Sequence, residues 1–457
     1  MLGPGEHLRF WGITISVIVL SLLPPKAPLH AVAGVVLLSS LFGLSACRAR
    51  QATPVTVGDL AHKYVSLVVE LGERDLDSLD FYAGSDPSID KLKRQPESLD
   101  SLHRSALALR AQIVNLQEDA SVDATRKALL FAQIDAIALR TEQLLGQNRS
   151  FDEESQTFFG IVAPGDSDAD SRKQLLARIA TLLGSSAHLA EAYTRYDTHF
   201  LVPADRVPAV MGMALSQCRA LTLEHLTLPA GEHVDVEYVF HKPWSAFSHY
   251  LGDAHSLIQV NMDYPITVDR ILNLACHEGY PGHHVFNSLR DQSLVKELHH
   301  EEFLVQPTFS PQSYVSEAAA SYAPNLLLSD ATRLHIERDL LFPLARINKP
   351  DVERYLEVEK LVAKLHTAEP SIAREYLDGR LEFVRAADAL ARETLMEHGE
   401  TTLLYLNEYR TYMLTYTLGN DTVRAFIEAG HPTDIERWQR YLDLIRNPVI
   451  SLPSPGH

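Results

Sequence analysis

Apolar residues recur at three- and four-residue spacing through most of the chain, which is the pattern of amphipathic helices. The pattern extends from about residue 57 to residue 228 and returns after residue 266, continuing to about residue 445. Its clearest stretch is Leu130, Ile134, Ile137, Thr141 and Leu144. We therefore predict a mainly α-helical protein.

The period changes to two residues shortly after residue 230. Val234, Val236 and Tyr238 alternate with polar neighbours, and a second short run follows at 256–261. Alternation of this kind predicts short strands, so we expect one small β-sheet element beside the helices. The change also divides the chain into a helical scaffold half, 57–230, and a second half, 231–457, which holds the candidate chemistry described below.

The first 47 residues have the features of a targeting segment. Two apolar runs, 10–23 and 31–46, are each nearer the length of a signal-peptide core than that of a membrane span. The second run ends in Leu-Ser-Ala-Cys at 44–47, which resembles a bacterial lipobox. This resemblance implies export and lipid attachment at Cys47, with residues 48–56 as a polar tether. A plain membrane anchor and a buried helix are the alternatives.

Anchoring at the periplasmic face of the outer membrane is the expected location, since no acidic residue directly follows Cys47 to signal retention at an inner membrane. The formal charge of -18 argues against a nucleic-acid partner, because phosphate binding needs clustered Lys and Arg. Three cysteines are too few for a disulfide framework. Of these, Cys276 lies in an apolar run and is expected to be a small buried side chain.

The most informative motif is the octapeptide His-Glu-Gly-Tyr-Pro-Gly-His-His at 277–284. A zinc hydrolase needs a neutral imidazole on the metal and an adjacent carboxylate that takes a proton from water, and His277 and Glu278 supply both. In the common form of this motif a second histidine lies four residues on, on the same helical face. Position 281 is proline here, so the helix must end or bulge between Gly279 and Gly282.

Two histidines compete to be the second ligand. In a regular helix His284, seven residues on, would share the face of His277, whereas His283 needs a bulge that absorbs two extra residues. We favour His283 because its Gly-His ending is that of some compact sites. The other histidine is expected to form a supporting hydrogen bond or to contact substrate.

A third protein ligand is expected, together with an open position for water. Glu317 is the best candidate, because it lies in a helix-favouring stretch whose small side chains allow close approach to the His277 helix. Glu301 and Glu302 also follow the motif and are rivals.

The octapeptide resembles the His-Glu-x-x-Pro-Gly-His-His signature of the bacterial domain-of-unknown-function family 885, a group of gluzincin-like zinc peptidases. The resemblance covers about residues 234–426. Asn261 matches an asparagine that ends a strand, Glu317 matches a Glu-Gly-Trp-Ala segment, and Tyr416 with Gly419 matches a Tyr-x-x-Gly. This chain has Ala318 and Ala319 where the family has Gly-Trp, and Pro324 in place of an acidic residue, which implies a remodelled substrate pocket.

The resemblance implies a Zn²⁺ cofactor held by His277, Glu317 and either His283 or His284. It also implies that Glu278 is the general base and that Tyr416, or Tyr412, stabilises the oxyanion. The run at 256–261 is expected to bind an extended peptide along its edge.

The expected activity is metal-dependent peptide hydrolysis. One alternative is a zinc amidase or deacylase acting on cell-envelope material. The other is a binding lipoprotein that retains metal without catalysis, although such a protein would have no need of Glu278.

Overall fold

Helices account for most of the computed structural model, which describes residues 55–116, 124–165, 169–242, 244–348, 351–396 and 398–447. The described residues belong to one compact unit. The expected signal segment, Cys47 and residues 48–54 of the tether lie outside them. The α-helices are α1 (Val57–Gly72), α2 (Pro87–Arg94), α3 (Leu99–Val114), α4 (Ala124–Leu144), α5 (Phe151–Phe159), α6 (Ala169–Leu183), α7 (Leu189–Asp197), α8 (Val207–Leu223), α9 (Val268–Leu274), α10 (His283–Arg290), α11 (Pro311–Leu327), α12 (Asp330–His335), α13 (Phe342–Ala345), α14 (Val352–Ala363), α15 (Glu369–Leu377), α16 (Phe383–Thr394), α17 (Gly399–Tyr409), α18 (Thr417–Glu428) and α19 (Asp434–Arg446).

Shorter helical segments of other types connect several of these helices. The π-helical segments are Ala275–Gly279, Asp291–Glu297 and Ile336–Leu341. The 3₁₀ segments are Leu76–Ser78, Thr198–Phe200, Glu301–Leu304, Lys364–Ala368 and Arg410–Thr415.

Two small sheets accompany the helices. The three-stranded sheet contains β2 (His233–Val239), β3 (Ala246–Gly252) and β4 (His255–Asn261), with β4 in the centre, parallel to β2 and antiparallel to β3. The second sheet pairs β1 (Leu79–Tyr82) with β5 (Val305–Pro307) in antiparallel fashion. The three-stranded sheet packs beside the π-helical segment of the octapeptide. The prediction of a mainly helical chain with a small sheet next to the metal-site helix is confirmed.

Several details of the strand prediction were wrong. Strand β1 lies inside the half predicted to be helical, and β3 and β5 were not predicted. The run at 256–261 is the central strand β4, so it has no free edge for a peptide, whereas β3 is an edge strand of the sheet. The apolar alternation in β4 comes from burial of one face, which is the same for central and edge strands.

The hydrophobic core joins the two predicted halves of the chain. Its largest part packs Val210 and Met211 of α8 against Ile271 and Leu272 of α9 and Ile258 of β4, all fully buried. A second part brings α1, α3 and α4 around Val305 of β5. The helix that leads to the octapeptide is therefore fixed by packing on several sides.

Cys218 of α8 and Cys276 of the π-helical segment form a disulfide. The sequence prediction that Cys276 is buried agrees with its full burial, but the disulfide itself was not predicted. Two cysteines 58 residues apart give no sequence signal for a pair, because the fold alone brings α8 and the octapeptide together. Among the described helices, none is both long enough and apolar enough to cross a bilayer.

Candidate metal centre

The octapeptide interrupts a helix and then starts a new one. Helix α9 continues into the π-helical turn Ala275–Gly279, the Tyr280–Pro281 peptide bond is cis, and α10 begins at His283. Gly282 allows the close return of the chain, since a Cβ at this position would overlap the carbonyl oxygen of His277. Its amide donates to the carbonyl of Cys276 at 2.9 Å. The bulge expected from proline is therefore present, and it replaces the helical register on which the case for His284 depended.

Three side chains converge next to the point where the chain turns back after the bulge. One ligand atom from each of His277, His283 and Glu317 lies within 4.8 Å of the others. The Nε2 of His277 is 2.9 Å from one carboxylate oxygen of Glu317, and the Nε2 of His283 is 3.3 Å from the other. All three side chains are largely buried. The structure thus brings together the favoured second histidine and the favoured third ligand.

Helix α11 carries Glu317 to this point. Its N-terminus is capped by Ser310, whose hydroxyl accepts from the amide of Ser313 at 3.0 Å. Ala318 faces Gly419 of α18 so closely that a Cβ on Gly419 would lie 2.8 Å from that of Ala318. The small residues of α11 do permit close helix packing, and at Ala318 the closely packed helix is α18.

Neighbouring side chains orient two of the three ligands. The hydroxyl of Tyr412 donates to Glu317 Oε2 at 3.2 Å. The Nδ1 of His283 lies 3.4 Å from Ser316 Oγ, a contact that leaves Nε2 directed at the carboxylate. Hydrogen bonds from neighbouring groups of this kind hold the side chains of metal ligands in one orientation.

The residues fit a divalent ion with one or more open positions. Glu317 Oε1 has no hydrogen-bond partner among the described residues, although His277 Nε2 is 2.9 Å away, so both atoms face a common space. Burial opposes charge on His283, yet Glu317 outweighs it and raises the pKa of His283 to about 9. Burial likewise opposes ionisation of Glu317, but the two imidazoles hold its pKa well below the usual range. The site therefore attracts positive charge, and two imidazoles with one carboxylate are a common catalytic zinc set.

Glu278 lines the same cleft as His277, His283 and Glu317. It is 5% exposed, and burial together with Glu317 raises the pKa of its carboxyl, while His277 and His283 oppose this shift. A buried carboxyl with a raised pKa beside an open metal position is suited to taking and returning a proton.

Tyr412 and Tyr416 line the same cleft. Tyr416 is 43% exposed, and its ring centroid is 6.4 Å from that of His277. Burial and the Glu317 carboxylate raise the pKa of both hydroxyls well above the ordinary tyrosine value. Both therefore remain protonated hydrogen-bond donors at neutral pH.

His284 points away from this cluster. It is fully buried, with Nδ1 2.9 Å from Ser256 Oγ and Nε2 3.0 Å from Glu232 Oε2. Glu232 also accepts from the hydroxyl of Tyr280 at 2.8 Å and from Arg219 at 2.6 and 2.9 Å. Burial raises the pKa of Glu232, but these three partners outweigh it and lower the pKa to about 2. His284 thus occupies the supporting position expected for the histidine that is not a ligand.

The rival carboxylates of the sequence analysis are engaged elsewhere. Glu302 is buried and accepts from Arg126 at 2.7 Å, while Glu301 lies 3.1 Å from His62. Asn261 ends β4 and donates to the carbonyls of Lys242 and Trp244, so it holds the connection between β2 and β3.

Sequence reasoning missed several polar residues that line the cleft, among them Asp80 and Ser248. Asp80 of β1 accepts from Thr308 at 2.8 Å, and burial, opposed by that hydrogen bond, raises its pKa to about 6. Ser248 of β3 is 7% exposed, and its hydroxyl has no partner among the described residues. No local motif marks either residue, because both reach the cleft through strand pairing rather than sequence proximity.

Comparison with known proteins gives only distant likenesses. No protein-family model matches the chain, and no curated protein matches it. Solved structures similar to it include a candidate lipoprotein from Colwellia psychrerythraea, with 15% identity and a TM-score of 0.44, covering 87% of this chain and 76% of that one. A candidate lipoprotein of unknown function from Shewanella oneidensis has 12% identity and a TM-score of 0.42, covering 79% and 75%. An M32 carboxypeptidase from Deinococcus radiodurans R1 has 13% identity and a TM-score of 0.38, covering 85% and 89%. We therefore base the function proposed below on the geometry of the site.

Proposed function

We propose that this chain is a zinc-dependent hydrolase, and specifically a peptidase of the gluzincin type related to family 885. The observation that carries the proposal is the convergence of His277, His283 and Glu317 within 4.8 Å, with Glu278 beside them in a cleft. A structural zinc site is closed by four protein ligands, whereas three ligands facing a cleft leave room for water and substrate.

Each residue of the site has a definite task in this proposal. His277, His283 and Glu317 would hold the ion, which when bound supplies Lewis acidity and lowers the pKa of water. Glu278 takes the proton from the attacking water and later returns it to the leaving amine. Tyr416 donates a hydrogen bond to the oxyanion of the substrate. Tyr412 keeps Glu317 in its orientation through their hydrogen bond.

The substrate is proposed to be an extended peptide segment lying along β3. Ala246, Phe247 and Ser248 of this edge strand line the cleft. An edge strand offers unpaired backbone groups at regular spacing, which an extended chain can match with its own. We therefore propose β3, instead of β4, as the peptide-binding edge.

Export with lipid attachment at Cys47 is part of the proposal. Its support is the Leu-Ser-Ala-Cys sequence at 44–47 and the Cys218–Cys276 disulfide, since disulfides persist in oxidising compartments outside the cytoplasm.

In a bacterial host, wild-type chain should fractionate with membranes and carry acyl groups detectable by mass spectrometry. Cys47→Ala should be released without them, and an unacylated wild-type chain would contradict the anchor.

Metal content tests the proposed centre. Purification without chelators, followed by elemental mass spectrometry, should give about one zinc per chain from this site. His277→Ala and Glu317→Ala should lose that zinc, whereas Glu278→Gln should retain it because Glu278 is not a ligand. The proposal is wrong if wild-type and His277→Ala chains bind zinc equally.

Activity tests the choice of substrate. Zinc-loaded chain is incubated with a peptide panel, muropeptides and acylated amines, and the products are identified by mass spectrometry. Cleavage of peptide bonds that disappears in zinc-retaining Glu278→Gln supports a peptidase. Cleavage restricted to muropeptides or acylated amines would instead identify an amidase or deacylase.

A further inference from the structure

A second group of metal-ligating side chains lies on the outer face of the three-stranded sheet. It consists of His233 and Asp235 of β2 and His255 of β4, with one ligand atom from each within 4.8 Å of the others. His233 and His255 are directly paired in the register of the two parallel strands. Two paired strands fix the backbone beneath all three side chains, so the cluster is held without a flexible loop.

Hydrogen bonding prepares these side chains for a cation. The Nδ1 of His233 lies 3.1 Å from the carbonyl oxygen of Gly231, so Nδ1 carries the proton and Nε2 presents a lone pair. Without an ion, the Nε2 of His255 donates to Asp235 Oδ2 at 2.9 Å, so a bound cation would replace this proton between the same two atoms. The two imidazole rings stack with centroids 3.9 Å apart, so they are direct neighbours, and one ring must turn for both lone pairs to point at a single ion.

The exposure of the cluster shapes the kind of ion it suits. His233 and Asp235 are exposed and His255 is half-buried, so the remaining coordination positions face water. Two imidazoles and a carboxylate form a borderline ligand set, which favours Zn²⁺, Cu²⁺ or Ni²⁺ over Ca²⁺ and Mg²⁺.

We propose that His233, Asp235 and His255 form a second, surface site for a divalent transition-metal ion, separate from the His277 centre. An ion bound there links β2 to β4 through side chains as well as backbone, and it therefore stabilises the sheet that carries β3. The proposal does not depend on the proposed hydrolase activity.

The test uses untagged full-length chain in which the first centre is removed by His277→Ala and Glu317→Ala. Titration with Cu²⁺ should show one ion per chain, with hyperfine coupling to two imidazole nitrogens in the electron paramagnetic resonance spectrum. Zn²⁺ should compete for the same site and raise the melting temperature. Adding His255→Ala should weaken binding by about 10- to 100-fold, and Asp235→Asn should weaken it by about 10-fold.

A matched control is His241→Ala, which removes an exposed histidine just beyond β2 and should leave the affinity unchanged. If the double variant does not fold, the comparison is made in wild-type chain, which should bind two zinc ions where His255→Ala binds one. Absence of binding in the folded double variant, or equal affinity with and without His255, would overturn the proposal. A failure of the first centre can be told apart from this, because His255→Ala chain would then bind no zinc at all.

Discussion

Glu317 has the most contacts of the three ligands with other polar groups of the site. Its two oxygens face His277 and His283, and the second also accepts from Tyr412. Tyr416 lies on the same side of the cleft but is not bonded to the carboxylate in this way. Removing the hydroxyl should therefore have a different effect at each of the two tyrosines.

Tyr416→Phe should lower kcat by about 100- to 1000-fold while zinc content stays at the wild-type value, since only an oxyanion donor is lost. Tyr412→Phe should instead weaken zinc binding by about 10- to 100-fold, because Glu317 loses an orienting bond. Steady-state kinetics and a chelator competition separate these effects. Loss of zinc from Tyr416→Phe would contradict its assignment to the oxyanion.

Asp80 adds a carboxylate to the cleft that neither holds the ion nor serves as the base. We expect it to favour substrates with a positive charge, such as a free amino terminus. Asp80→Asn should raise the KM of such peptides by about 10-fold, roughly 1.4 kcal/mol, with unchanged zinc content. N-acetylated versions of the same peptides are the matched control and should show no change. An equal effect on both forms would argue for a structural role.

At the scale of elements, the bend in the octapeptide sets the directions of its last two histidines. The chain turns back at Gly282, where backbone atoms of Cys276 and His277 fill the space that a side chain would need. The same turn leaves His283 on the cleft and directs His284 into the core.

Gly282→Ala should abolish zinc binding and reduce the free energy of unfolding by about 2 to 4 kcal/mol, because the clash is with backbone. Gly212→Ala is the control: Gly212 is exposed in α8 and a methyl group there meets nothing within 4 Å. That change should leave zinc unaffected and stabilise the helix by about 0.5 to 1 kcal/mol. Urea unfolding measures the change in stability of each variant, and metal analysis measures its zinc content. Zinc retention by Gly282→Ala would contradict the role of the turn.

Local pattern was enough to predict the elements that depend on neighbours in sequence. The helical period, the strands β2 and β4, and the bulge at Pro281 all follow from short stretches of chain. The core position of His284 is also held by Glu232, 52 residues away, a contact that sequence spacing alone could not show. Asp80 reaches the cleft only because β1 pairs with β5, more than 200 residues later, so no local signal could find it.

At the scale of the whole molecule, half-buried carboxylates close to Asp269, at the start of α9, make stability depend on pH. Burial and the nearby Asp269 raise the pKa of Asp197 to about 7. Burial, Asp269 and Asp197 raise that of Glu359 to about 9. A carboxyl whose pKa is higher in the folded state binds more protons there, so its effect destabilises the fold as pH rises from the unfolded pKa to the folded one.

The free energy of unfolding should therefore fall between about pH 4 and pH 7 through Asp197, by about 1.4 kcal/mol for each pH unit crossed. Asp197→Asn should remove that part of the fall, so the variant gains stability relative to wild type at pH 8 compared with pH 5. Urea unfolding in chelator at several pH values measures the difference. Asp205→Asn, at an exposed position, controls for the loss of one carboxylate charge. A constant difference between Asp197→Asn and wild type at all pH values would contradict the assignment.

The pairing of His284 with Glu232 has a consequence for how such proteins diverge. When His284 alone is replaced, Glu232 keeps its hydrogen bonds from Tyr280 and Arg219, whereas replacing Glu232 alone strands the buried Nε2 of His284 at a cost of about 1 to 3 kcal/mol. Lineages that lose the acid that precedes the first strand of the sheet should therefore also have lost the last histidine of the octapeptide. A survey of homologous genes that found the two positions varying independently would show that something else fills this space.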